Sequence, residues 1–313
     1  MVFSSNIFIF FFLPAAILCY YAVPSKFKNA VLLIFSLVFY SWGEPVYILI
    51  MLFSTVFDYA NGLLIQKFQT ANRNSSAKAV LCLSVIGNLS VLCFFKYSSF
   101  LVDNINSLLG SSLEVPSVSL PVGISFYTFQ TMSYTIDVYR KQANAQKNIV
   151  DFGAFVTMFP QLVAGPIVQY KDIEQQLKKH SFSKERFLYG ISRFIQGLSK
   201  KVLLANNIGI LWEQISASHK IGLATAWLGA AAFAFQIYFD FSGYSDMAIG
   251  LGEMFGFTFR ENFDRPYASK SITEFWRRWH ISLGSWFREY VYIPLGGNRR
   301  GKARQIFNIL TVW

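Results

Sequence analysis

Charged residues are scarce in this sequence. Asp, Glu, Lys and Arg make up 14% of its 313 residues, whereas hydrophobic residues make up 53%. A typical soluble domain has roughly 25% charged residues. A chain of this composition has too few polar side chains to cover its apolar surface in water. The composition therefore excludes an ordinary soluble domain and predicts a protein whose solvent is the lipid bilayer.

Cysteine and histidine are also rare. The three cysteines are odd in number and lie in apolar runs, so they predict no disulfide framework. The three histidines are scattered and none is clustered with cysteine, so we expect no metal site and no tightly bound cofactor. The histidines are His180, His219 and His280. His180 and His219 lie in polar segments, where a solvated position is expected.

Positive charge is unevenly distributed. Lys and Arg number 28 against 17 Asp and Glu, and the segment 260–304 alone carries ten cations against four anions. In a membrane protein such a segment predicts a cytoplasmic face that meets anionic lipid headgroups or a phosphorylated small molecule. No nucleic-acid recognition module accompanies the basic residues, so a nucleic-acid partner is not expected.

Apolar runs predict an all-α, polytopic membrane bundle. The run at 7–23 has no cation before it and no cleavage site of small residues after it, which indicates a retained membrane segment and not a signal peptide. The positive-inside rule places the loops near Lys28 and Lys67 in the cytoplasm. The predicted spans are 7–23, 30–42, 46–65, 79–95 and 221–238, and we expect an interfacial helix and a loop after Lys96.

Three apolar segments carry polar residues or helix breakers. Asp58 and Asn61 share one helical face, where they either line a cavity or join two helices by hydrogen bonds. The segment 120–140 is too polar to face lipid all round, so it lines a cavity or buries its polar groups against other helices. Two prolines and a glycine in 159–166 predict a broken or re-entrant helix.

The stretch 274–300 holds the densest group of chemically useful side chains. At helical spacing His280 shares a face with Trp276 and Phe287, and Arg277 and Arg278 are available for anions. One interpretation is an interfacial helix with a belt of Trp, Tyr and Arg. The other is a site in which the imidazole does acid–base chemistry.

Several motifs resemble one family. Trp279-His280-Ile281-Ser282-Leu283, followed by 286–290 and Tyr292-Ile-Pro-Leu-Gly-Gly-Asn-Arg299, resembles the signature of the membrane-bound O-acyltransferases, in their alginate O-acetyltransferase branch. The segments 120–140, 159–166 and 238–246 resemble the same branch. The resemblance implies a multi-helix membrane bundle around a tunnel, in the inner membrane of a bacterium.

The resemblance also implies an activity. An acetyl group would pass from a cytoplasmic donor, with acetyl-coenzyme A expected, to hydroxyl groups of an extracytoplasmic polysaccharide such as alginate. Membrane lipids and a periplasmic acetyltransferase protein are the implied partners. Other acceptors stay open, namely peptidoglycan, cellulose, or teichoic acid receiving D-alanyl groups. A transporter or channel and a non-catalytic scaffold are the rivals from other classes, although no inverted repeat favours transport.

His280 is the predicted catalytic residue, acting on donor or acceptor. The family carries a second histidine in a Trp-His-Gly context that this sequence lacks, so we expect an N-terminal portion of such an enzyme, inactive by itself. We expect one incomplete domain, with transmembrane helices at 1–96, cavity-forming helices at 97–257, a basic aromatic segment at 258–305 and the start of a further transmembrane helix at 306–313. The predicted donor- and substrate-binding residues are Arg277, Arg278, Trp279, Arg288, Asn298, Arg299, Asp240 and Asp246.

Overall fold

Helices account for all the regular structure of the described residues. The computed structural model describes residues 1–115, 118–163, 165–180, 182–218 and 221–312, and within these ranges no strand occurs, which confirms the all-α prediction. The α-helices are α1 Leu13–Ala22, α2 Lys28–Ser41, α3 Ile48–Thr70, α4 Asn74–Leu109, α5 Ile124–Tyr139, α6 Ile149–Thr157, α7 Phe159–Leu162, α8 Tyr170–Lys178, α9 Lys184–Ser199, α10 Asn206–Ser216, α11 Leu223–Phe255, α12 Ile272–Arg278, α13 Ile281–Phe287 and α14 Gly301–Val312.

Two of the described helices, α3 and α4, are long and apolar enough to cross a membrane. α3 contains the predicted span 46–65 from residue 48 onward, and α4 contains the predicted span 79–95. Shorter apolar helices occupy Phe8–Ala22 and Ile149–Leu162. The predicted span 221–238 lies in α11 from residue 223 onward. α11 is 33 residues long but does not belong to the two helices that are apolar enough to cross a membrane.

The prediction of a separate interfacial helix after Lys96 is wrong, because α4 continues without interruption to Leu109. No glycine or proline follows Lys96 until Gly110, and only Gly110, with φ of 61°, ends the helix. The lysine does not stop the helix, since its long side chain can carry the charge away from apolar surroundings. The residues expected in an interfacial helix therefore extend α4.

The broken helix predicted around Pro160 is confirmed. α6 and α7 meet at Met158, whose ψ of 108° is not helical. The break frees backbone groups that the neighbouring side chains then satisfy: Ser36 Oγ accepts from Phe159 N at 3.0 Å. The carbonyl of Phe155 accepts two side-chain amides in the same way, those of Gln130 and Gln161, at 3.0 and 2.7 Å.

The chain divides into two compact units. One comprises Pro24–Val163 with Gln169–Lys178, and the other comprises Met1–Val23, a short segment containing Ile167, and the chain from Lys179 onward. The finer boundaries expected at 96, 257 and 305 stay predictions.

A buried carboxylate joins three helices of the first unit. Asp58 on α3 is fully buried and accepts from Ser84 Oγ and Asn88 Nδ2 on α4, each at 2.7 Å. Ser84 Oγ also lies 2.9 Å from Thr135 Oγ1 on α5. Of the two interpretations of Asp58, the geometry favours hydrogen bonding between helices. Most polar residues of α5 are likewise buried, namely Thr128, Gln130, Thr131, Ser133, Thr135 and Asp137.

In the second unit, α9 and α11 pack with their backbones in close approach. Gly190 faces Gly250, and Gly197 faces Gly243, so that glycines seven residues apart on one helix meet glycines seven apart on the other. A Cβ atom added at Gly250 would lie 2.5 Å from the carbonyl oxygen of Gly190. The close approach therefore requires glycine at these positions.

His180 is not solvated as predicted. Its Nδ1 lies 3.2 Å from the hydroxyl of Tyr20, which donates to the Phe255 carbonyl at the end of α11. The imidazole also packs edge-on against Tyr20 and Phe257. The polar segment around it misled the prediction, because aromatic partners came from distant parts of the chain. His219 lies outside the described residues.

Candidate active site

The backbone breaks at His280, between two short helices. α12 ends at Arg278, Trp279 is extended, and His280 has φ 45° and ψ 54°, in the left-handed region. α13 begins at the next residue. The predicted continuous helix that would place Trp276 and His280 on one face is therefore wrong.

Backbone hydrogen bonds hold this break in place. Ile281 N donates to the carbonyl of Asn262 at 2.9 Å, and Asp264 N donates to the carbonyl of Arg278 at 3.0 Å. The segment before α12 thus flanks the histidine on both sides. A left-handed conformation costs a residue with a Cβ roughly 1–2 kcal/mol, and these contacts offset that cost.

The side chain of Asn262 holds the imidazole. It is fully buried, and its Oδ1 lies 3.0 Å from His280 Nδ1. The same oxygen accepts from Ser282 N at 3.2 Å and from Ser282 Oγ at 2.9 Å. Ser282 Oγ in turn accepts from Ile167 N at 3.0 Å. The histidine ring is therefore oriented by a network that reaches three segments of the unit.

Aromatic rings pack against the histidine and against its neighbour Trp279. Phe241 packs edge-on against the imidazole with ring centroids 4.8 Å apart. Trp279 contacts Phe263 at 5.1 Å and stacks on Phe275 at 5.6 Å. Burial in these surroundings lowers the pKa of His280 to about 4. The imidazole is therefore neutral near pH 7.

A cavity of about 370 Å³ lies next to this cluster. Its lining consists of Ile237, Asp240, Phe241 and Tyr244 on α11 together with Trp279. Phe241 therefore contacts the imidazole and also lines the cavity. The Tyr244 hydroxyl is buried without a hydrogen-bond partner among the described residues. An apolar pocket with a carboxylate and a hydroxyl can hold a small polar group attached to an apolar chain.

Asp240 and Asp246 are both engaged in ion pairs with cations that follow or belong to α9. Asp240 pairs with Lys201 at 2.6 Å. Asp246 is 9% exposed and pairs with Arg193 at 2.7 Å and Lys200 at 2.5 Å. Of the two predicted binding carboxylates, Asp240 therefore lines the cavity, whereas Asp246 links two helices. α11 runs uninterrupted through this segment.

The predicted basic residues are spread over the surface of the segment. Arg278 pairs with Glu274 at 2.7 Å on the same helix, and Asn298 accepts a hydrogen bond from Tyr292. Arg277, Arg288 and Arg299 are exposed. Among the predicted binding residues of the stretch 274–300, Trp279 is the one that lines the cavity.

The sequence did not single out Asn262 or Phe241. Phe241 lies within the motif segment 238–246, whereas Asn262 lies in the segment that leads into the histidine motif. Neither is near His280 in sequence, since even Asn262 is 18 residues before it. An asparagine directly before an aromatic residue, in a segment leading to the motif, was the only available signal. Contact with the imidazole arises from the fold.

The fold and this site define an all-α protein with two described helices that are long and apolar enough to cross a membrane, and with a half-buried, neutral histidine beside a cavity. The sequence matches the membrane-bound O-acyltransferase family over residues 45–313, and the chain belongs to that family. The family predicted from the motifs is thereby confirmed.

The chain is similar to an alginate O-acetylase and, at lower identity, to acyltransferases that are named for other acceptors. The chain is 48% identical over 303 residues to the probable alginate O-acetylase of Pseudomonas aeruginosa, covering 96% of this chain and 58% of that protein. It is 35% identical over 346 residues to the peptidoglycan O-acetyltransferase of Helicobacter pylori, covering 100% of this chain and 65% of that protein. Identity to the teichoic acid D-alanyltransferase of Bacillus subtilis is 30% over 178 residues, covering 55% and 45%. The chain therefore spans about three fifths of the length of the first two relatives.

Proposed function

We propose that the protein moves an acetyl group from acetyl-coenzyme A to hydroxyl groups of an alginate-like polysaccharide, with His280 in the reaction site. The observation that carries this proposal is the neutral imidazole of His280, held by Asn262 beside the cavity that Asp240 and Trp279 line. The identity of 48% to an alginate O-acetylase supports the acceptor class.

The chemistry requires a group that takes a proton from the acceptor. The sugar hydroxyl oxygen forms a bond to the acyl carbon, the carbon–sulfur bond breaks, and the leaving thiolate takes up a proton. An imidazole that is neutral at the working pH accepts the hydroxyl proton and passes it to the thiolate, so atoms and charge balance. His280 does this, or positions the acceptor for it, together with the second histidine that the family resemblance implies.

The exposed cations of the basic segment suit the donor. Coenzyme A carries phosphate groups, and guanidinium groups bind phosphate with two parallel hydrogen bonds. We assign this role to Arg277, Arg288 and Arg299, with Arg278 and Asn298 beside them. The same cations also contact anionic lipid headgroups when no donor is bound.

The proposed setting is a bacterial inner membrane that the protein crosses several times. The two long apolar helices support a membrane position, and the excess of cations in 260–304 supports a cytoplasmic side for the donor. The acceptor then lies on the opposite face, where a periplasmic acetyltransferase partner receives or directs the acetyl group.

Peptidoglycan is the alternative acceptor. The peptidoglycan O-acetyltransferase of Helicobacter pylori aligns over the whole of the present chain, at 35% identity. Both polymers offer sugar hydroxyls, so the cavity does not distinguish them, whereas an assay with each polymer does.

The test uses the full-length protein in proteoliposomes with radiolabelled acetyl-coenzyme A outside and unacetylated alginate inside. We expect alkali-labile label on the polysaccharide, increased by a periplasmic extract. Liposomes without protein are the control. Label on peptidoglycan fragments but not on alginate assigns the alternative acceptor, and D-alanyl transfer without acetyl transfer assigns a different donor. Label that crosses the membrane without forming an ester contradicts the proposal and favours a transporter.

A further inference from the structure

The carboxamide of Asn262 determines which nitrogen of His280 carries the proton. Its oxygen is identified by Ser282 N, because a backbone N–H can only donate and therefore faces Oδ1, at 3.2 Å. The Ser282 hydroxyl accepts from Ile167 N at 3.0 Å, so its own proton is available for the same oxygen at 2.9 Å.

Because Asn262 Oδ1 accepts, His280 Nδ1 must donate across the 3.0 Å that separates them. In a neutral imidazole one nitrogen carries the proton and the other carries the lone pair. The proton is thus on Nδ1, and the lone pair is on Nε2.

This orientation of the Asn262 amide carries a cost, because the buried Nδ2 has no hydrogen-bond partner among the described residues, a state that costs roughly 1–3 kcal/mol. Turning the amide over would direct Nδ2 at the Ser282 N–H and remove the acceptor of both Ser282 donors. The observed orientation is therefore the one that the network selects.

We propose that Asn262 is a positioning residue that holds His280 in the Nδ1-protonated tautomer, so that Nε2 accepts the proton of the attacking hydroxyl. The inference rests on the proposed function, since it assigns the roles of the two nitrogens in that reaction. The Asn262 backbone contributes as well: its carbonyl accepts from Ile281 N at 2.9 Å and so anchors the residue that follows the left-handed His280.

Every aspartate on the elements around His280, and most of the glutamates, already pair with a cation. Asp240 pairs with Lys201, Glu261 with Arg193, Arg278 with Glu274, and Asp264 with Arg265 at 3.7 Å. The other charged residues of the segment 260–289 are Arg260, Lys270, Arg277, Arg288 and Glu289. A carboxylate at position 262 would therefore be a new charge in direct contact with Nδ1.

The test compares three variants of the full-length protein in the acetyl-transfer assay. Asn262→Ala removes the acceptor, and kcat is expected to fall roughly 10- to 100-fold, no further than in His280→Ala. Asn262→Asp keeps the acceptor and adds a charge that favours the imidazolium. Activity is therefore retained near neutral pH, but as the pH is lowered it is lost at a higher pH than in the wild type. Asn74→Asp, an exposed substitution at the start of α4, adds the same charge and is expected to leave the profile unchanged.

Nitrogen-15 NMR of the labelled full-length protein reads the tautomer directly, with the His280 signal assigned by its loss in His280→Gln. We expect Nδ1 protonated in the wild type and in Asn262→Asp, and mixed tautomers in Asn262→Ala. A wild-type Nε2-protonated ring overturns the inference. The inference is also overturned if both Asn262 variants keep the wild-type kcat and pH profile while His280→Ala is inactive. Full activity of His280→Ala instead contradicts the proposed function.

Discussion

Gly190 of α9 and Gly250 of α11 face each other so closely that neither position has room for a side chain. A Cβ atom at Gly190 would lie 2.6 Å from the Gly250 carbonyl oxygen, and one at Gly250 would lie 2.5 Å from the Gly190 carbonyl oxygen. These atoms belong to backbone, which cannot rotate away. The contact helps position α11, whose middle turns line the cavity beside His280.

Gly250→Ala is therefore expected to destabilise the protein by about 1–3 kcal/mol through overpacking. Gly209→Ala on α10 is the matched control, because its Cβ would meet only Gln236 Cγ at an ordinary 3.5 Å. The control should gain about 0.5–1 kcal/mol from helix propensity. Thermal unfolding in detergent measures both, and equal midpoints for the two variants would refute the packing argument.

Asp58 is expected to act on stability and not on chemistry. Asn88 Nδ2 donates to Asp58 Oδ2, so Asp58→Asn places two amide groups against each other and should cost about 1–3 kcal/mol. Acetyl transfer per folded molecule should stay at the wild-type level. Asp103→Asn, exposed on α4, is the control and should change stability by less than about 0.5 kcal/mol. A folded Asp58→Asn protein without activity would instead assign Asp58 to a functional cavity.

The stability of the protein should fall as the pH is lowered from about 6.5 towards 4. Burial lowers the pKa of His280 to about 4, so in this window the unfolded chain binds a proton that the folded chain does not. The free energy of unfolding then decreases by up to about 1.4 kcal/mol per pH unit, with no contribution above about pH 6.5. Thermal midpoints of the wild type and His280→Gln measured across the window should converge in acid. Parallel curves for the two proteins would show that the imidazole is not buried in its neutral form.

Filling the cavity should block transfer without unfolding the protein. Ile237 lines the cavity, and Ile237→Trp occupies part of its volume, so kcat/KM for acetyl transfer is expected to fall roughly 10- to 100-fold. Leu228→Trp lies on the same helix, is half-exposed and does not line the cavity, and should transfer at the wild-type rate. If both variants keep wild-type kinetics, the acyl group does not pass through this cavity.

Some features could be predicted from local sequence and others could not. The break before Pro160 follows from backbone chemistry that proline imposes, and the spans in α3 and α4 follow from composition, so both were predicted correctly. The end of α4 was not, because Lys96 changes polarity without breaking a helix, whereas Gly110 does break it.

The centre of the site shows why spacing alone was insufficient. A helical period across Trp276 and His280 assumed a continuous helix. The left-handed conformation of His280 instead depends on two hydrogen bonds with another segment, in which the Asn262 carbonyl accepts from Ile281 N and Asp264 N donates to the Arg278 carbonyl. The motif identified the histidine as the important residue. Its partners and its tautomer depend on tertiary contacts, which no local pattern encodes.

The rate of acetyl transfer by His280→Ala tests the central claim most directly. The measurement uses the full-length protein in proteoliposomes with labelled acetyl-coenzyme A and unacetylated alginate, and compares the variant with wild type and with His219→Ala, a histidine predicted from sequence to lie in a polar loop. The account predicts a loss of about 100-fold or more in kcat for His280→Ala and a wild-type rate for His219→Ala. Wild-type transfer by a folded His280→Ala protein would contradict it.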